Sequence, residues 1–69
     1  MTFREVIRIL MDHGFSRTKQ SGSHRTYRGT VGGLTQVVVL AYSREGDEIK
    51  KGTLGSIIRQ SGLDKKLFR

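Results

Sequence analysis

Residues 15–41 read FSRTKQSGSHRTYRGTVGGLTQVVVLA, and the fold turns on how this stretch divides. Two clusters of turn-forming residues interrupt it, Gln20-Ser21-Gly22-Ser23 and Gly29 to Gly33, the second with Gly32-Gly33 as a flexible tip. Between them His24 to Arg28 alternates, so that Arg25 and Tyr27 share one face of a strand while His24, Thr26 and Arg28 share the other. After them Thr35 to Ala41 holds the run Val37-Val38-Val39-Leu40, whose β-branched residues suit a strand and whose length is too short for a helix core. Before them Phe15 to Lys19 reads as a short polar strand. The stretch is therefore a three-stranded antiparallel meander.

Outward from the meander the period changes. Apolar residues upstream fall at Phe3, Val6, Ile7, Leu10 and Met11, the spacing of one helix face. Thr2 and Glu5 have the spacing of a capping box, and Gly14 followed by Phe15 has the pattern of a helix stop, which places a helix over Thr2 to His13. His13, at the end of that helix, reads as structural. Downstream, Ser43 to Glu48 is a charged loop. Lys51 to Ser61 carries a stripe of Leu54, Ile57 and Ile58, closed by Gly62-Leu63; Asp64 can cap a last short turn carrying Leu67 and Phe68. Both helices must cover apolar surface, and the sheet provides it. The expected fold class is α+β: a single two-layer domain over residues 1–69, ordered α-β-β-β-α, with both helices on one face of the sheet and the other face open. This is the order of the double-stranded-RNA-binding domain.

Composition narrows the function. Thirteen Lys and Arg oppose six Asp and Glu, a formal net charge of +7, and the cations are spread along the chain. The excess points to a polyanionic partner. No apolar run approaches the ~20 residues a membrane helix needs. The first apolar stretch is broken by Arg4, Glu5, Arg8 and Asp12, unlike a signal peptide. The expected location is cytoplasmic, with no membrane partner. No cysteine is present, so neither disulfides nor thiolate metal sites can stabilise the small core, and two histidines alone do not make a zinc site. No cofactor is expected.

Two local sequences carry a resemblance. Gly22-Ser23-His24, followed by aromatic Tyr27, and Lys51-Gly52-Thr53-Leu54 followed by Ile57-Ile58-Arg59-Gln60-Ser61-Gly62-Leu63, together resemble the HicA-like mRNA interferase toxins. The resemblance implies a toxin of a toxin–antitoxin pair that cuts mRNA without a metal, is silenced by a HicB-like antitoxin covering its active site, and uses a histidine matching His24. Many members also carry a proline, and often a histidine soon after, at the end of the third strand. Here that region is Leu40-Ala41-Tyr42-Ser43, so any role of that second histidine is missing or passes to Tyr42.

The chemistry is compatible with these residues. RNA holds its own nucleophile, the 2′-OH, and cleavage needs a proton acceptor, a proton donor and cations on the phosphate. His24 is the candidate catalytic group, because an unperturbed imidazole titrates near neutral pH. Its partner could be water, Tyr42 or a lysine. Lys19, Ser23, Arg25, Thr26 and Arg28, together with Lys50 and Lys51, are the candidate RNA contacts, although the directions of Lys19 and Arg25 are open. Tyr27 is expected in the core. The alternative function is a non-catalytic module that binds duplex RNA by shape and phosphate contacts.

Overall fold

The structure, a computed structural model, describes all 69 residues. Helix α1 spans Phe3–Asp12; strands β1 (Ser16–Ser21), β2 (His24–Val31) and β3 (Leu34–Ala41) follow; helix α2 covers Lys51–Ser61; and a 3₁₀ turn closes the chain at Lys65–Phe68. The three strands form an antiparallel sheet in the order β1-β2-β3. The expected α+β fold, ordered α-β-β-β-α, is the one observed.

Thr2 caps α1 as the sequence indicates. The Glu5 amide donates to the Thr2 hydroxyl at 3.3 Å and the Thr2 amide donates to the Glu5 carboxylate at 2.9 Å. These bonds to its charged form, with both Thr2 groups donating, hold the Glu5 carboxyl below its usual range. The apolar stripe buries Phe3, Val6, Ile7 and Leu10, whereas Met11, expected in the same stripe, is 58% exposed. The helix ends there, and Phe15 folds back instead, its amide donating to the Leu10 carbonyl at 2.9 Å. At the far end Ser61, fully buried, donates to Ile58 O at 2.7 Å and accepts from the Leu63 amide at 3.1 Å, so the one buried polar side chain is satisfied on both sides.

The meander is longer than its turn residues suggest. Gly29, Thr30 and Val31 belong to β2, and only Gly32 and Gly33 form the second loop. Gly29 is a packing residue. A Cβ there would lie 2.7 Å from Cγ of Phe15 and within 3.0 Å of two more ring atoms. The absent side chain is what lets the Phe15 ring lie against the strand.

The core lies between the sheet and the helices. It joins Tyr27, Val38 and Leu40 of the sheet to the α1 stripe, Phe15, Tyr42, Ile49, Ile57 and Phe68. Tyr42 and Ile49 flank the charged loop and anchor it. Thr2 pairs with Glu48, and the Ile49 amide donates to the Met1 carbonyl at 2.9 Å. Residues 24, 28 and 30 of β2 and residues 35, 37, 39 and 41 of β3 are exposed, while their neighbours in the sequence turn toward the helices. One face of the sheet is covered and the other is open.

Candidate functional site

His24 sits where the first hairpin enters β2. The hairpin closes on Gly22 and Ser23, with Ser21 paired to His24. Gly22 has φ of +59°, a left-handed value that other residues take at a steric cost, so glycine permits a two-residue loop here. The loop delivers His24 to the open face at the sheet's end, its side chain exposed and without a hydrogen-bond partner.

Strand pairing then decides which groups stand beside it. His24 pairs with Ser21 on one side and Ala41 on the other, Thr26 with Lys19 and Val39, and Arg28 with Ser16 and Val37. Paired residues share a face. A bulge between Arg17 and Lys19 sets the β1 side of this pattern. Thr18 is the extra residue, its hydroxyl donating to the Thr26 carbonyl at 3.4 Å. Uninterrupted alternation from Ser16 would send Lys19 and Ser21 toward the helices. The bulge moves both to the open face. Lys19 thereby becomes a diagonal neighbour of His24, with Cβ atoms separated by roughly 7–8 Å, which a lysine side chain can span.

The structure thus brings His24, Lys19, Thr26 and Arg28 together on one exposed face, with Ser23 in the loop at its edge. It does not bring Arg25 there. Arg25 lies toward the helices, its guanidinium 3.9 Å from the centre of the Tyr42 ring, donating to the Tyr42 carbonyl and, at 3.0 Å, to the Ser23 carbonyl. Its contacts are those of a clamp that ties the hairpin to the chain leaving β3. Lys50 and Lys51 also stand apart. They begin α2, off the sheet, just after Ile49, whose amide donates to the Met1 carbonyl. The amides of Lys51, Gly52 and Thr53 have no partner, since Lys50 offers no side-chain cap and the first helical bond runs from Leu54 to Lys50.

Neither tyrosine stands beside His24. Tyr42 is buried and stacked on Phe3 with ring centres 5.0 Å apart, on the covered side of the sheet. Tyr27, as expected, is core. Its burial, and after that the neighbouring Tyr42 hydroxyl, push its pKa up to about 12, so its phenol stays protonated at neutral pH. His13 caps its own helix, a ring nitrogen 2.8 Å from the Ile9 carbonyl. Of the partners left open for His24, lysine is therefore the one with a side chain on the same face. Sequence alternation alone could not place Lys19, because a bulge reverses the count without a residue signature of its own.

The face has no enclosed cavity, and no helix is long and apolar enough to cross a membrane. The open face presents the cations Lys19 and Arg28 with the imidazole of His24 at one end. Comparison with curated proteins gives no match. Residues 3–63 match the model of the family described as the HicA toxin of bacterial toxin–antitoxin systems, a span from the first residue of α1 to the stop of α2. The chain belongs to the HicA toxin family and is the toxin member of a pair that includes an antitoxin.

Proposed function

We propose that the chain is an endoribonuclease that cuts mRNA in the cytoplasm without a metal ion, using His24 for proton transfer. The observation that carries this reading is the exposed, unpartnered imidazole of His24 on the same face as Lys19 and Arg28. In the reaction a base takes the proton of the 2′-OH, and the oxygen attacks the adjacent phosphorus. The bond to the 5′-oxygen breaks, and that oxygen gains a proton. The imidazole accepts or donates one of these protons. Lys19 and Arg28 offset charge on the non-bridging phosphate oxygens, and Thr26 lies between them to bond the backbone. Ser23 and the Lys50-Lys51 pair, with its free helix amides, extend the phosphate contacts around the end of the molecule. Arg25 acts through the hairpin it holds.

Control of such an enzyme follows from its surface. A HicB-like antitoxin, acidic where it meets the toxin, covers His24 and the Arg28 side of the sheet and keeps RNA away.

Cleavage of a defined RNA in EDTA, with the new ends identified by mass, tests the reading. The expected products end in a 2′,3′-cyclic phosphate and a 5′-hydroxyl, and a 2′-deoxy substitution at the cut site blocks the reaction. Cutting of the deoxy substrate, or a requirement for added Mg²⁺, contradicts it. Binding without cutting would instead identify a non-catalytic RNA module.

A further inference from the structure

The two edges of the sheet are built differently. The outer edge of β1 is interrupted by the bulge and carries Arg17 and Lys19, devices that discourage pairing with another strand. The outer edge of β3 has neither. Leu34–Ala41 contains no charge, no proline and no bulge, and it stays in unbroken register with β2 over all eight residues. Because the Tyr42 amide donates inward to Ser23 at 3.1 Å, the even-numbered residues of β3 face β2 and the odd-numbered ones face outward. Of the outward backbone groups on Thr35, Val37, Val39 and Ala41, only the Val39 amide is bonded, to the Gln60 side-chain oxygen at 3.2 Å. Beside that edge Val37 and Val39 are 47% and 43% exposed, two apolar side chains on the open face.

An uncharged edge whose outward backbone groups are mostly unbonded is a template for another strand. We propose that the antitoxin binds by adding an extended segment to the outer edge of β3, so that the sheet continues from toxin into antitoxin. This rests on the proposed masking of His24 and names how the masking is reached. Charge decides against a second copy of the chain: each copy carries a formal +7, and Arg28 lies one strand away from Val37. An acidic partner segment is attracted to the same place.

Position gives the docking a consequence. Ala41 pairs with His24, Val39 with Thr26 and Val37 with Arg28. A strand added beyond β3 runs two spacings, roughly 10 Å, from the His24 row. Its alternate side chains rest on Val37 and Val39, while acidic ones reach Arg28. The chain that follows this strand is then placed to cross the open face. Gln60 already bonds where an incoming carbonyl would, and it yields that place on docking.

Backbone hydrogen exchange tests the proposal on the unmodified chain, alone and in its co-purified complex with its antitoxin. In the free toxin the amides of Thr35, Val37 and Ala41 exchange rapidly. In the complex they slow by ~10²-fold or more, as paired strand amides do. Val37→Pro, which removes an outward donor and no internal bond, weakens the complex about tenfold or more, whereas Val37→Thr keeps the amide and binds as the parent does. Fast exchange at Val37 and Ala41 within a stable complex overturns strand addition. So does failure to form a complex, or protection in the free chain that tracks dimer formation on a sizing column. If cleavage is inhibited while the edge stays unprotected, masking stands and strand addition falls. If the edge is protected and cleavage continues, strand addition stands and masking falls.

Discussion

Arg25 and Arg28 are three residues apart in one strand, carry the same charge, and face opposite ways. Arg28 stands on the open face, while Arg25 bonds two carbonyls and covers the Tyr42 ring. Cation–π contact and charge-assisted bonds of this kind contribute about 1–2 kcal/mol. Arg25→Ala is therefore expected to lower the melting temperature by several degrees, while Arg28→Ala leaves it almost unchanged. A thermal melt of each separates the roles. Gly29 is the other residue whose meaning comes from a neighbour. Gly29→Ala pushes a methyl into the Phe15 ring and should destabilise the fold by about 1–3 kcal/mol, the usual cost of overpacking. A melting curve that matches the parent would show that Phe15 has room to move. At this scale the sequence was legible where the physics is local: the Thr2–Glu5 cap, the Gly22 turn, the helix stop at Gly14 and the core placement of Tyr27. Gly29 looks like a turn residue because the signal of glycine is its freedom, and nothing in the chain around it reveals that an aromatic ring needs the space. Tyr42, raised as a possible acid or base, turns out to anchor the loop after β3 by stacking on Phe3.

Elements behave according to how their ends and edges are satisfied. Helix α1 has a complete cap, and its Glu5 carboxyl is held below its ordinary value by bonds to the charged form. A carboxyl with a lowered folded pKa contributes stability that is fully present above its unfolded value and is lost as pH falls through the folded one. Melting followed from pH 7 downward should thus show a loss beginning below about 4.5, the ordinary value for Glu5, and Glu5→Gln should show a smaller loss over the same range. Equal acid sensitivity in parent and variant would assign the effect to other carboxyls. Helix α2 starts with two lysines and no acidic residue in its first turn, an arrangement unfavourable to the helix dipole and available to phosphate. All the elements and their order could be read from periodicity. The bulge in β1 could not, since it is a property of two strands in register. With it went the direction of Lys19, and with that the composition of the open face. Lys50 and Lys51 lie on α2 and not on the sheet that carries His24.

The whole molecule is a small basic plate: helices cover one side, and the other carries His24, Lys19, Thr26 and Arg28 among exposed valines. A formal charge of +7 on so small a body makes electrostatics the main source of non-specific affinity for RNA. Binding should weaken steeply with salt, and for single-stranded RNA Arg28→Ala should reduce the logarithmic salt slope by about 0.7, the share of one phosphate contact. An unchanged slope would take Arg28 off the RNA path. The proposed catalytic group, the proposed phosphate contacts and the unpaired edge of β3 occupy adjacent strands. Everything proposed for this chain's activity turns on His24 transferring a proton during RNA cleavage. The most direct measurement is the single-turnover cleavage rate of His24→Ala beside the parent, with thermal melting and RNA affinity recorded for both. The expected rate is lower by ~10²–10⁴-fold, with melting and affinity close to the parent's. Cleavage at the parental rate by the folded, RNA-binding variant would contradict it.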